Sequence, residues 1–179
     1  MAPGVVLVGL MGAGKTTVGR LVASRLGLPF VDLDARIAAD AGCPIPDLFA
    51  AEGEPAFRER EAAALVAVIA EAGEHGCVLA TGGGAPIRDD NWQRLRAFGL
   101  TVWLDLPPAV AAARAAAGGG RPLLVGVDPV ERMCDLHRRR AARYAEAELR
   151  LDATLAPRAL AERIAAAHRQ RRKAEGAPP

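Results

Sequence analysis

Val5-Val6-Leu7-Val8-Gly9-Leu10-Met11-Gly12-Ala13-Gly14-Lys15-Thr16 decides the fold. The first four residues are apolar, mostly β-branched, and show no polar alternation. They read as a strand buried on both faces, the kind that belongs to a parallel sheet. Gly9 to Thr16 matches G-x-x-x-x-G-K-[ST] in full. Val18, Leu21, Val22 and Leu26 follow at helical spacing, and Gly27 is a helix stop. Strand, glycine-rich turn and helix start, in that order, form the context in which this pattern cradles phosphates. Its glycines let backbone N–H groups turn inward, and the helix N-terminus adds positive partial charge. Lys15 reaches the β and γ phosphates, and the Thr16 hydroxyl can coordinate Mg²⁺.

Working outward, Pro29-Phe30-Val31 leads into a second strand ending at Asp32. Residues from Asp34 to Gly53 predict two short helices broken by Gly42, Pro44 and Pro46, and Glu54-Pro55 opens a longer one. On it Phe57, Glu61, Leu65, Val68 and Ile69 share a face. Cys77-Val78-Leu79-Ala80 is a third strand, followed by Gly82-Gly83-Gly84. A helix through Trp92 and Leu95 ends at Gly99, and Leu100 to Leu106 is a fourth strand. Pro107-Pro108 starts an alanine-rich helix that runs out at Gly118-Gly119-Gly120. Asp128 and Pro129 cap a helix through about Glu148. Leu149 to Leu151 is a short fifth strand, and Pro157 opens a last helix whose arginine-rich end frays into a tail from about residue 171. Strands alternating with helices predict an α/β fold with a parallel sheet, whose ligands bind beyond the carboxyl ends of the strands.

Composition narrows the function. A chain of 179 residues that is 51% hydrophobic predicts one ordered domain. A net charge of +2 is too small for a protein that wraps nucleic acid. Of the 23 basic residues only Lys15 and Lys173 are lysine, so the compact ammonium at position 15 departs from a strong arginine bias. Cys43, Cys77 and Cys134 form no metal or disulfide pattern. No signal peptide or membrane-spanning run is read, and a reducing cytoplasm is the expected setting. Asn91 is the only asparagine, so the Asn-Lys-x-Asp guanine-reading motif of GTPase switches cannot be written. A small-molecule kinase is the leading class, with a nucleotide-gated switch as the alternative.

The acceptor side starts with Asp32 and Asp34. If the extended geometry of the second strand continues, both point toward the phosphates. One can hold Mg²⁺ through water and the other accept a hydroxyl proton; helix capping by Asp34 is the competing role. Asp105 also ends a strand, but two prolines follow and a turn role suits it. Arg58 and Glu61 are helical neighbours. The spacing is compatible equally with a surface pair and with Glu61 orienting Arg58 toward an anionic substrate.

Taken together these residues resemble the shikimate kinase family over essentially the whole chain. The resemblance rests on Gly9-Leu10-Met11-Gly12-Ala13-Gly14-Lys15-Thr16, Asp32-Leu33-Asp34, Phe49, Phe57-Arg58-x-x-Glu61, the triple glycine, Arg121-Pro122-Leu123-Leu124 and Arg140-x-x-x-Tyr144. It implies a P-loop kinase fold of three layers. The central sheet has five parallel strands flanked by helices, with a substrate-binding segment over about 33–61 and a lid over about 115–127. It also implies transfer of the ATP γ-phosphoryl group to the 3-hydroxyl of shikimate by a cytoplasmic monomer. In that reading Lys15, Asp34 and Arg121 are catalytic, Asp34 being the base. Gly12, Ala13, Gly14, Lys15, Thr16, Thr17, Arg114 and Arg121 bind ATP, with Arg114 stacked on adenine. Asp34, Phe49, Phe57, Arg58, Gly82, Gly83, Gly84 and Arg140 bind shikimate, and Thr16 with Asp32 serves Mg²⁺. No residue is assigned between Asp152 and Pro157, where an obvious polar reader of the base is lacking.

Overall fold

The computed structural model describes residues 4–117 and 128–176. They form a five-stranded sheet in the order β2-β3-β1-β4-β5, with every pairing parallel. The strands are β1 (Gly4–Val8), β2 (Phe30–Asp32), β3 (Val78–Ala80), β4 (Gly99–Asp105) and β5 (Leu149–Asp152). Between them run α1 (Lys15–Leu26), α2 (Leu33–Ala41), α3 (Ile45–Ala72), α4 (Asp89–Phe98), α5 (Pro108–Ala117) and α6 (Pro129–Tyr144), and α7 (Pro157–Gly176) closes the chain. The expected lid from residue 118 onward, with Arg121, lies outside the described residues, as does the tail beyond Gly176. The arginine-rich end before that point is helical rather than frayed, and its Arg171 bonds Glu148 at 2.6 Å. Among the described residues no helix is long and apolar enough to cross a membrane.

Val5 to Val8 are fully buried, as their unbroken apolar run requires. Burying each such side chain contributes about 1.5–3 kcal/mol, so β1 is a rigid base for the loop that follows it. Helices cover both faces. A side chain at Gly4 would strike Phe98 of α4, whereas Gly19 of α1 sits close to Leu7. Gly4 and Leu7, three apart on a strand, face opposite sides. Helix α7 packs along α1 and α6 along α5.

Two boundaries differ from the sequence expectation, and a third, the end of β2, agrees with it. Helix α6 stops at Tyr144, not at Glu148, because the chain turns there: Ala147 N–H donates to Tyr144 O at 3.0 Å, and Glu148 N–H to the Thr101 hydroxyl at 3.1 Å. Neither glycine nor proline marks that turn. The second short helix and the long helix join into α3 across a kink at Gly53, with φ 79° and ψ 171°. The kink releases the backbone just ahead of Pro55, which has no N–H to give. Strand β2 ends at Asp32 because its carboxylate caps α2, accepting from Ala35 N–H at 3.3 Å.

The Gly53 conformation is essentially reserved for glycine. A Cβ there would meet only Pro55 Cδ at 3.8 Å, so the cost of a side chain lies in the backbone and not in crowding. Gly53→Ala is expected to lower stability by about 1–3 kcal/mol. A reduced urea midpoint at unchanged slope is the sign to look for; an unchanged midpoint would mean the kink carries no strain.

Candidate active site

The chain leaves β1 for β2 on one side and later reaches β4 on the other, so a crevice opens beyond the carboxyl ends of the strands. A cavity of about 810 Å³ lies there. It is lined by Gly12, Ala13, Gly14, Lys15, Thr16 and Thr17 after β1, by Asp32 and Asp34 after β2, and by Gly82, Gly83 and Gly84 after β3. Phe49, Phe57 and Arg58 enter from α3, Arg114 from α5 and Arg140 from α6. Every described residue expected at the site therefore borders one space, and Arg121 lies outside the description.

At the phosphate end Gly14 has φ 87°, with nothing within 4 Å of a hypothetical Cβ. Glycine is used here for its conformation. It brings the chain into α1, so the first turn of that helix lines the cavity and presents N–H groups with no acceptor inside the helix. Lys15 Nζ donates back to Gly9 O at 2.8 Å and Leu10 O at 2.9 Å. Thr16 Oγ1 donates to Asp32 Oδ2 at 2.7 Å. Asp32 thus joins the loop to the start of α2, and it fills the capping role considered for Asp34. The two aspartates are not paired along an extended strand, since Leu33 already begins the helix and is fully buried.

Asp34 nevertheless reaches the cavity, because the triple glycine leaves it room. A Cβ on Gly82 would lie 2.5 Å from Asp34 Oδ1. A Cβ on Gly83 would lie 2.9 Å from Arg140 Nη1 and 3.4 Å from the Tyr144 hydroxyl, and one on Gly84 would collide with the Arg58 guanidinium. None of these glycines has positive φ. Their function is space, and each makes room for a different polar side chain.

Arg58 Nη1 donates to Glu61 Oε2 at 3.0 Å and Nη2 to Glu54 Oε1 at 2.9 Å. Glu61 is only 2% exposed, which decides between the two readings of this spacing: the pair is not a surface pair. Burial pushes the Glu61 carboxyl above its ordinary range; Arg58 opposes that shift, Asp34 adds to it, and Arg140 opposes it. Burial works against the charge of Arg58, but Glu61 and Glu54 outweigh it and hold its pKa above the usual value. Phe49 and Phe57 stack with ring centroids 4.3 Å apart, and the Arg58 guanidinium lies 5.4 Å from the Phe57 ring.

Two residues escaped the sequence assignment of the site. Glu61 was readable as a carboxylate on the apolar face of α3. Tyr144, buried and donating to Gly83 O at 2.6 Å, was readable as the i+4 neighbour of Arg140. At the far end Arg114 Nη1 donates to Ala153 O at 3.2 Å, and Ala153, Leu155, Pro157 and Leu160 form an apolar wall. Asp105 is not part of the cavity; its carboxylate accepts from Arg150 at 2.7 Å.

The family model described as "Shikimate kinase" matches residues 11–169. A curated relative named shikimate kinase, from Symbiobacterium thermophilum, is 52% identical over 145 residues, 80% of this chain and 82% of its own length. Another of that name, from Thermosynechococcus vestitus, is 48% identical over 149 residues, 83% of this chain and 79% of its own. The solved structure of shikimate kinase from Acinetobacter baumannii in complex with shikimate superposes with a TM-score of 0.87 at 36% identity, covering 99% of this chain and 97% of that one.

The Glu61 environment sets a pH dependence. An acid whose folded pKa is raised favours the fold most below its ordinary value of 4.5, and loses that contribution as pH rises through the folded value. The stability of the wild type relative to Glu61→Gln should therefore fall as pH climbs from about 4 to 8. Urea midpoints of both proteins across that range test this; a constant difference would show that burial leaves the carboxyl unshifted.

Proposed function

The chain belongs to the shikimate kinase family, and we propose that it transfers the γ-phosphoryl group of ATP to the 3-hydroxyl of shikimate, giving shikimate 3-phosphate and ADP for aromatic amino-acid biosynthesis. It is a small-molecule kinase with ATP as co-substrate. The observation that carries the acceptor reading is the glycine turn, flanked by one carboxylate and two guanidinium groups. That set suits a ligand bearing a carboxylate at one end and hydroxyls at the other. Arg58 and Arg140 take the carboxylate, since a guanidinium fork can bind both oxygens. Asp34 holds ring hydroxyls, Gly83 offers its backbone, and Gly82 and Gly84 give the ring room. Phe49 and Phe57 wall the pocket.

Phosphoryl transfer of this kind needs alignment and charge neutralisation more than a strong base. The backbone of Gly12 to Thr17 wraps the phosphates. Lys15 exchanges its bonds to Gly9 and Leu10 for the β and γ oxygens. Arg114 lies over the adenine, against the apolar wall of Leu155 and Pro157. The acceptor oxygen bonds to the γ phosphorus as the bond to the ADP oxygen breaks, and Asp34 receives the hydroxyl proton. A Mg²⁺ ion fits beside Thr16 and Asp32, whose oxygens are hard donors 2.7 Å apart, too few to bind it without phosphates. When bound, it neutralises charge on the phosphate oxygens. In the same reading the chain is one domain working as a monomer in the cytoplasm, and Arg121 comes from a lid over about 115–127.

ADP release from Mg·ATP decides the reading, with shikimate, gluconate and AMP offered in turn. Shikimate alone is expected to stimulate turnover, and chelating Mg²⁺ to abolish it. Asp34→Asn should lower kcat by about 10²- to 10⁴-fold while leaving the KM for ATP nearly unchanged. ATP binding with no stimulation by any acceptor would replace this reading with a nucleotide-gated switch.

A further inference from the structure

The geometry points to Tyr144 as a positioning residue whose hydroxyl fixes the Arg140 guanidinium against the glycine turn. The inference rests on the acceptor reading above and extends it to a residue that the reading does not use. Three observations meet at one oxygen. Tyr144 donates to Gly83 O at 2.6 Å. The Arg140 charge acts on the same hydroxyl, opposing the rise of its pKa. The Arg140 Nη1 atom stands 2.9 Å from where a Gly83 Cβ would be, and the hydroxyl stands 3.4 Å from the same point.

A phenol has one proton to donate and lone pairs to accept with, so the hydroxyl that donates to Gly83 O can also accept from the Arg140 guanidinium, which borders the same point beside Gly83. Burial keeps that proton in place, holding the Tyr144 pKa above its ordinary value against the opposing pull of Arg140. The ring has little freedom. It is fully buried and lies 6.0 Å from the Trp103 ring, centroid to centroid. Tyr144 is also the last residue of α6, one helical turn beyond Arg140. The turn that follows is tethered: Trp92 Nε1 donates to Glu146 at 2.8 Å, and Arg143 pairs with Glu146 and with Asp89 of α4. The hydroxyl is therefore held from behind. It transmits that placement to a long side chain which otherwise has several rotamers to choose from, and to the carbonyl of the turn that faces the acceptor.

Tyr144→Phe keeps the ring and removes only the oxygen. The KM for shikimate should rise about tenfold or more, with kcat reduced less than about threefold and the KM for ATP within about twofold of wild type. The melting temperature should fall by no more than about 2–4 °C. In an Arg140→Ala background the same change should add less than about twofold to the shikimate KM, because the two act through one contact. An equal effect in both backgrounds would overturn the proposal, as would a parallel rise in the KM for ATP. A readout without substrate separates this from the acceptor assignment. The Arg140 side-chain N–H signals, identified by their loss in Arg140→Lys, should be protected from exchange in wild type and exposed in Tyr144→Phe. Unchanged protection refutes the positioning role. Changed protection in a protein that does not phosphorylate shikimate upholds it and removes the acceptor reading instead.

Discussion

Three helices deliver polar side chains to one short backbone segment because that segment carries no Cβ atoms. Asp34 comes from α2, Arg58 from α3 and Arg140 from α6, and each occupies space that a side chain on Gly82, Gly84 or Gly83 would claim. The sheet order makes this meeting possible. Strand β3 lies between β1 and β2, so the turn after β3 stands beside both the phosphate loop and Asp32. Gly9 O is 3.5 Å from the place of a Gly83 Cβ, which shows how near the two loops are. A single substitution in the turn would therefore disturb groups that are distant in sequence.

Charge balance is the second condition. Two guanidinium groups face the acceptor space, and guanidinium groups without partners would repel each other. Glu61, buried behind them, offsets that repulsion while remaining costly to ionise. Breaking a buried ion pair by removing one partner leaves an uncompensated charge, so neither Arg58 nor Glu61 can change alone without consequence.

Much of this was legible in the sequence, for physical reasons. The apolar run before Gly9, the glycine pattern and the helix stops fixed by local chemistry made the sheet and the phosphate loop readable, and the family resemblance agrees with the relatives found. The end of α6 was not legible, because a tertiary bond from Glu148 to Thr101 ends it. The geometry of Asp32 and Asp34 was misread for a related reason: continuing the strand looked natural until the cap at Asp32 started α2. Glu61 left two readings open because spacing cannot report burial. The wall beside Arg114 was legible only as a segment, Asp152 to Pro157, in which no residue could be assigned, since Ala153, Leu155 and Pro157 announce no chemistry until they are seen lining a cavity.

The two hydrogen bonds from Lys15 to its own loop bear on how inactive variants should be interpreted. The ammonium acts as an internal brace, drawing the Gly9 and Leu10 carbonyls toward it. The loop is thereby tied to its own side chain, and a phosphate that takes up the ammonium competes with two carbonyls for it. Measured affinity for ATP is then the difference between two sets of bonds to one cation. Neutralising Lys15 removes both sets, so a weakened nucleotide site in such a variant reports a loop that has lost its brace as much as a phosphate that has lost its partner.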